Sequence, residues 1–418
     1  MTEVAIQPLL INAEHGSHKG ATIFSTSVNL ANTVIGAGVL CLGYTMHQAG
    51  AGLALCLMIC VCLLSVTSFI MLSICCEQTG TYNYRGIAKK VFGHRSAIVV
   101  EFSVFLYTAS LAIGYVVLLG HFLPSITKTL LPESAPSFLT NRNSLLILLS
   151  AFILYPLTLF PKLDALKYTS VVAVVGVIFF TCSMVYRLAT KSYPMPDPKG
   201  PFIWWNFSPK ALLAIPLMAV SFTAHYSVPV LYQELDRRSP KRFAVSVIST
   251  AVVCLVMYSI VALTGYASFT DSILSDVIEN YAHNDILAII SRFGLSFSLA
   301  FGFPVVCFSM RCSFEAMFLE DAKPLWRRQF VLATLLVGIC VTVAILEERI
   351  EVVLGLAGGS VGLLIGFVFP GLFFLYVTKE SKSIGDRWYP LKRVMGYLIT
   401  FIGIVLMVFC TYLNVQEL

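Results

Sequence analysis

Charge is what this 418-residue sequence has least of. Asp, Glu, Lys and Arg make up 12% of it, and hydrophobic residues 57%, against about 25% and roughly 45–50% in soluble globular domains. A chain so short of charge cannot cover a water-facing surface, and no polar stretch is long enough to form a sizeable soluble domain. Also missing are the HExxH helix of zinc proteases, the phosphate-cradling P-loop and the glycine fingerprint of dinucleotide sites. Their absence argues against an enzyme. No basic stripe with interleaved aromatics lies in a polar domain, so the net charge of +6 does not point to nucleic acid as a partner. Twelve cysteines are present, but none falls in an expected outer loop, so they form no disulfide framework. Inside apolar runs a free Cys behaves as a small hydrophobe. Cys75 and Cys76 are read as packing, with palmitoylation as the alternative. The N-terminal tail is polar and shows no cleavable signal peptide.

What is abundant is apolar runs long enough to cross a bilayer, which takes about 20 residues each. Eleven such runs are expected, starting near Ala21, Leu53, Ala97, Ser144, Tyr168, Pro209, Phe243, Ile286, Phe330, Val352 and Val394. The fold class is therefore all-α integral membrane. Cytoplasmic connections carry excess Lys and Arg. Alternate loops hold Arg85, Lys89, Lys90 and Arg95; Lys162 and Lys167; Arg237, Arg238, Lys241 and Arg242; Arg311, Lys323, Arg327 and Arg328; and Lys379, Lys382, Arg387, Lys392 and Arg393. These loops and the tail of residues 1–20 are placed in the cytosol, and residues 414–418 on the opposite side with the acidic segment Asp271 to Asp285. A sequon, Asn206-Phe207-Ser208, lies on that outer side. The tail's "QPLLI" resembles endosomal sorting signals only loosely, so a plasma membrane and a vacuolar or endolysosomal membrane both remain open.

Two spans carry concentrated polar or helix-breaking residues. The first reads "NLANTVIGAGVLCLGY", with Asn29, Asn32, Thr33, Gly36 and Gly38; the sixth reads "AIPLMAVSFTAHYSVPVLY", with Pro216, Ser221, Thr223, His225 and Pro229. Interruptions at corresponding places in two halves point to a transporter's binding site. A repeat of five spans, an odd number, enters the membrane in opposite senses. The expected organisation is thus an inverted pair, 21–189 and 208–378, within a transmembrane domain over 21–413, with an extra helix at 394–413. Unwound backbone in hydrocarbon costs several kcal/mol per unsatisfied group unless protein, water or a polar solute satisfies it. A half-helix is expected to begin at Gly38, its free N–H groups and dipole favouring a carboxylate. Carbonyls near Ser221 to Thr223 would accept from an ammonium group. One such end of each sign suits a zwitterionic amino acid. The alternative is that the glycines only allow close helix packing.

"NLANTVIGAGVLCLGYTMHQAG", "TYNYRGIAKKVFG", "LDALKYTSVVAV", "SFTAHYSVPVLYQELDRRSPKRF", "FPVVCFSMRCSFEAM" and "GLAGGSVGLLIGFVFPGLFFL" resemble, in order, stretches of the amino acid/auxin permease superfamily. The branch is that of sodium-coupled neutral amino-acid and vacuolar amino-acid transporters, and coverage runs from about Gly20 to Leu413. The resemblance implies a leucine-transporter-like five-plus-five fold. It maps the substrate carboxylate onto Ile35, Gly36, Ala37 and Gly38, and the amino group onto Ser221, Phe222 and Thr223. It maps a sodium ion onto the carbonyls of Asn32 and Ile35 and onto eighth-span hydroxyls. There Gly302 stands where the family has threonine, leaving Ser298, one turn away, to compensate. Lys167 stands where sodium-coupled relatives often have glycine, so its ammonium is a stand-in for sodium or else a snorkelling anchor. His225 is a titratable group inside a span, which is a candidate for proton coupling or a buried structural imidazole.

The expected function is a secondary active transporter of small neutral amino acids, working by alternating access and driven by a Na+ or H+ gradient. No other cofactor is expected, the lipid bilayer and an amino acid are the partners implied, and protein partners are not legible. The alternative is an amino-acid sensor with little flux. A channel is disfavoured because no carbonyl filter or charged pore ring is visible. Arg292, in the eighth span, is expected to snorkel outward or to pair with the acidic loop. Tyr107 and Tyr115 are cavity-lining or packing residues. "GGSVG", Gly358 to Gly362, lies in an apolar helix rather than a strand–turn–helix, so it is read as helix packing and not as a nucleophile elbow.

Overall fold

The structure, a computed structural model, describes residues 20–132, 134–159, 167–190, 200–318, 326–380 and 389–416, without the side chains of 167–172. The tail with "QPLLI" and the side chain of Lys167 lie outside the described residues. Among them ten helices are long and apolar enough to cross a membrane, and an eleventh span is a pair, Ile23–Val34 and Ala37–Ala49, bent by 55°. The second to fifth spans are Ala51–Thr79, His94–Leu130, Arg142–Leu159 and Ala173–Thr190; the sixth to eleventh are Pro209–Glu234, Pro240–Phe269, Ile286–Phe318, Trp326–Leu346, Ile350–Glu380 and Tyr389–Gln416. All eleven expected runs are matched, with starts that differ by a few residues. Phe152, Leu63, Val253 and Phe401 are among the large apolar side chains left exposed, as a lipid-facing surface requires.

Local sequence sets the boundaries. The second span ends at Gly80 in the left-handed region (φ 63°), which glycine enters without steric cost. The seventh begins with Ser239, whose side chain accepts from the Arg242 N–H, followed by Pro240 in the first turn. Between the second and third spans lies an amphipathic helix, Tyr84–Phe92, capped by Asn83. At nine residues it is too short to show as a span-length apolar run. It packs on the third and tenth spans, and its Tyr84 hydroxyl donates to the Ile365 carbonyl at 2.8 Å.

Packing follows a rule of five. The first span lies on the seventh and the sixth on the second; the third meets the tenth and the eighth meets the fifth; the third also meets the ninth, and the eighth the fourth. Each contact has a counterpart five spans along, while third-on-eighth and second-on-seventh map onto themselves. An isolated parallel bridge, Ala21 with Leu235, ties the start of the first span to the end of the sixth.

The glycine-rich tenth span contains two π-helical stretches, Gly358–Gly362 and Leu364–Val368. A Cβ at Gly358 would strike the Pro216 carbonyl of the sixth span, and one at Gly359 would meet Cys410 of the eleventh at 3.2 Å. These glycines therefore serve close helix approach, as expected, with the added feature of widened turns. Ser68 of the second span donates its hydroxyl to the Gly366 carbonyl within this region. Cys75 and Cys76 are fully buried, which fits packing. Asn206 donates its side-chain amide to the Gln48 carbonyl at 2.9 Å, so the sequon nitrogen is engaged.

Candidate functional site

Both suspected breaks are present. In the first span the helix Ile23–Val34 stops at Ile35 (φ −77°, ψ 80°), and after the extended Gly36 the chain resumes as a 3-10 turn, Ala37–Cys41, and a helix, Leu42–Ala49. The second half thus begins at Ala37, one residue before the expected start. Ile35 N–H still reaches the Ala31 carbonyl at 2.7 Å, and Gly36 N–H folds back to Val34 at 2.9 Å. The N–H groups opening the next half have no intrahelical acceptor by construction. In the sixth span the helix Ala214–Phe222 ends at Thr223 (φ −94°, ψ 99°), a 3-10 turn covers His225–Ser227, and the helix resumes at Val228–Glu234 with Pro229 in its first turn.

The two breaks touch. A Cβ on Gly38 would overlap the Ser221 Oγ and would stand 3.0 Å from the Ser221 Cα. The seventh-span Tyr258 hydroxyl lies 2.7 Å from the Val34 carbonyl and 3.0 Å from the Ser221 carbonyl, so one phenol reaches the frayed carbonyls of both spans. The third-span Tyr107 hydroxyl donates to the Thr223 carbonyl at 3.0 Å. The Ser221 and Thr223 hydroxyls turn back to Leu217 and Ala219 of their own helix, at 2.8 and 2.7 Å, a pattern that fills carbonyls four residues back. The polarity of the sixth-span break is therefore largely met from within.

An open space lies on the other flank of the first break. A cavity of about 80 Å³ is lined by Asn32, Ile35, Gly36 and Ala37 of the first span, Tyr115 of the third, Ala173 and Val177 of the fifth, and Ser298, Phe301 and Gly302 of the eighth, among others. A single water needs roughly 10–15 Å³ of such space, so this hollow admits several waters or a small polar solute. It brings together Asn32, Ile35, Ser298 and Gly302 from the resemblance-based ion set, and Ile35, Gly36 and Ala37 from the carboxylate set. Gly38, Ser221, Phe222 and Thr223 line no part of it. Tyr115 spans the cavity: a Cβ on Gly302 would lie 3.1 Å from its Cε2, and one on Gly36 would lie 3.4 Å from its hydroxyl. Glycine at 302 thus makes room for a phenol. Tyr107, Tyr115 and Tyr258 have one signal in the sequence, a phenol inside a largely apolar run, and that signal does not say which groups it meets.

His225 is fully buried, and neither ring nitrogen has a hydrogen-bond partner. Its ring sits 4.2 Å from that of Phe69 and 6.0 Å from that of Phe367, centroid to centroid. It packs in an aromatic niche toward the second and tenth spans and does not line the cavity. Arg292 does not snorkel: it is 1% exposed and donates to the Ile278, Tyr281 and Ala282 carbonyls of the loop between the seventh and eighth spans at 2.9, 2.6 and 3.3 Å.

Among the described residues, eleven elements long and apolar enough to cross a membrane, two of them broken and pressed together beside a polar hollow, define a multi-pass helical membrane protein built like a solute carrier. Residues 19–416 match the family described as transmembrane amino acid transporter protein, and the chain belongs to that family. It is a transporter family, which sets the chain apart from enzymes. A Danio rerio protein provisionally named sodium-coupled neutral amino acid transporter 11 is 24% identical over 402 residues, 96% of this chain and 89% of that one. The Danio rerio sodium-coupled neutral amino acid symporter 2 is likewise 24% identical, over 412 residues, 91% of this chain and 81% of the relative.

Proposed function

We propose that the chain is a secondary active transporter that moves small neutral amino acids by alternating access, driven by a Na+ or H+ gradient. The observation that carries this reading is the cavity, in which the first-span break meets Tyr115, Ser298 and Gly302. In this reading Gly36 and Ala37 present main-chain N–H groups to the substrate carboxylate, helped by the positive end of the half-helix that begins there. The sixth-span break at Ser221, Phe222 and Thr223 receives the amino group once it parts from Gly38. Tight contact between the breaks supports a state in which the amino-group half is closed. The exchange of helix contacts at intervals of five supports inverted repeats over 21–189 and 208–378, which would rock about the fixed site.

For the coupling ion, the relatives' names favour sodium. A hard cation needs oxygen ligands, and the cavity offers the Asn32 amide, the Ser298 and Tyr115 hydroxyls and first-span carbonyls, though nothing from Gly302. In a proton-driven cycle the niche holding His225 is the titratable centre. The N-terminus faces the cytosol in this reading, from the loop charges, in a plasma or endolysosomal membrane. Family membership favours transport over the sensor alternative. The test is uptake of labelled neutral amino acids into proteoliposomes, with sodium and proton gradients imposed separately. Uptake driven by one gradient supports the reading and names the ion. Binding without flux under either gradient refutes it.

A further inference from the structure

Outside the transport cavity, three side chains from two distant stretches of the chain converge near the outer end of the third span. His121 Nδ1 lies 3.5 Å from Asp276 Oδ2 and 3.6 Å from Glu279 Oε1, and one ligand atom from each residue falls within 4.8 Å of the others. The imidazole's other nitrogen, Nε2, donates to the Glu348 carbonyl at 3.0 Å. That bond puts the ring hydrogen on Nε2 and turns the Nδ1 lone pair toward two carboxylates. Asp276 is 1% exposed, and neither its Oδ2 nor His121 Nδ1 has a hydrogen-bond partner. An Nδ1 lone pair facing the buried Asp276 and the partly exposed Glu279 is repulsive unless a cation, either a proton on Nδ1 or a metal ion, lies between them.

We propose that His121, Asp276 and Glu279 form a binding site for a zinc-class divalent cation. The separations fit this better than a hydrogen bond. Zinc–nitrogen and zinc–oxygen bonds of roughly 2.0–2.2 Å hold two ligands of a tetrahedral ion about 3.3–3.6 Å apart, and the observed Nδ1–carboxylate distances of 3.5 and 3.6 Å fall in that window. A neutral His and two carboxylates balance a dication, and the Glu348 carbonyl supplies the outer-shell acceptor that ligating histidines use. Glu279 is partly exposed, with a side-chain accessibility of 36%, which leaves an entry path and an open fourth position. Arg142 and Arg292 also face the cluster electrostatically, and Arg292 holds the main chain of the same loop.

The position gives the site a consequence. The turn Val277–Asn280 packs on the first-span turn Ala37–Cys41, so the loop that bears Asp276 and Glu279 covers the outer side of the first break. A metal bridging that loop to His121 ties the cover to the third span.

The test uses the full chain purified in detergent and zinc alone, titrated by calorimetry, with the melting temperature followed in parallel. Wild type is expected to bind one zinc ion at this site and to melt higher with added zinc, since a ligand that binds only the folded state stabilises it. His121→Gln and Glu279→Gln are each expected to weaken binding by at least the roughly 10–100-fold that loss of even an outer-shell partner costs, and to abolish the melting shift. Glu279 is partly exposed, so Glu279→Gln guards against a variant that fails to fold. Zinc binding equal in wild type and Glu279→Gln overturns the proposal, as does wild type with no binding. Binding carried by the cysteines survives both substitutions and counts against it equally. None of these outcomes depends on whether the chain transports amino acids.

Discussion

Adding one methyl group at Gly38 should cost far more than adding one at Gly36, although the two glycines are two residues apart in the same break. At Gly38 a Cβ would sit 3.0 Å from both Cα and Cβ of Ser221 and would overlap its Oγ. Carbon atoms prefer about 3.5–4.0 Å, so the sixth span must retreat by on the order of 0.5–1 Å. Overpacking of this kind costs about 1–3 kcal/mol. If the cost falls on the state in which the breaks touch, the conformational balance shifts by about 5–150-fold. At Gly36 the new atom would have the Tyr115 hydroxyl at 3.4 Å and no other atom within 4 Å, which is ordinary contact, so Gly36→Ala should stay within about 1 kcal/mol. The measurements are thermal stability in detergent and initial uptake rates in proteoliposomes. Ser221→Gly removes the two overlapping side-chain atoms at an intrinsic cost near 1 kcal/mol in a helix, so the double variant Gly38→Ala/Ser221→Gly should perform better than the sum of its singles. The contact argument is refuted if Gly36→Ala is as damaging as Gly38→Ala, or if the double variant is additive.

Tyr258→Phe removes the donor shared by the Val34 and Ser221 carbonyls. Leaving a buried acceptor unmet costs about 1–3 kcal/mol, so the variant should melt lower and transport more slowly; wild-type behaviour in both assays would mean that water replaces the hydroxyl. Gly302→Thr adds a hydroxyl at the cavity but collides with the Tyr115 ring, so alone it should cut uptake. Paired with Tyr115→Ala it should recover sodium-dependent flux, as read by uptake against sodium concentration; unchanged flux in the single variant would refute the steric reading. Arg292→Lys keeps the charge but loses the fork that serves three carbonyls. With charged hydrogen bonds at about 1.5–3 kcal/mol each, stability should fall by at least one such bond, and an unchanged melting temperature would show the loop to be held otherwise.

How much of this was legible beforehand depends on how far apart the partners lie in the chain. The eleven spans and both breaks are local matters of composition, and Gly36, Gly38, Pro216 and Pro229 mark them directly. The contents of the breaks are not local. The sequence suggested that carbonyls near Ser221 and Thr223 lie open; it could not tell that Tyr107 and Tyr258, in other spans, supply donors to them. Nor could it tell that the Ser221 and Thr223 hydroxyls turn onto their own helix, since a hydroxyl chooses between ligand and backbone only once its rotamer is fixed. The cavity between Asn32, Ile35, Ser298 and Gly302 was reachable only through the family resemblance. The His121, Asp276 and Glu279 cluster joins residues separated by more than 150 positions, and no motif spacing announces it.

The widened turns of the tenth span have carbonyls that neighbouring helices have already claimed. Ser68 reaches the Gly366 carbonyl and Tyr84 the Ile365 carbonyl. Were this stretch to tighten into ordinary α geometry, those two oxygens would swing inward and strand both hydroxyls in a dry interior. The bulge is thus fastened from outside by the second span and the short amphipathic helix, so the tenth span cannot slide its register unless those two elements travel with it.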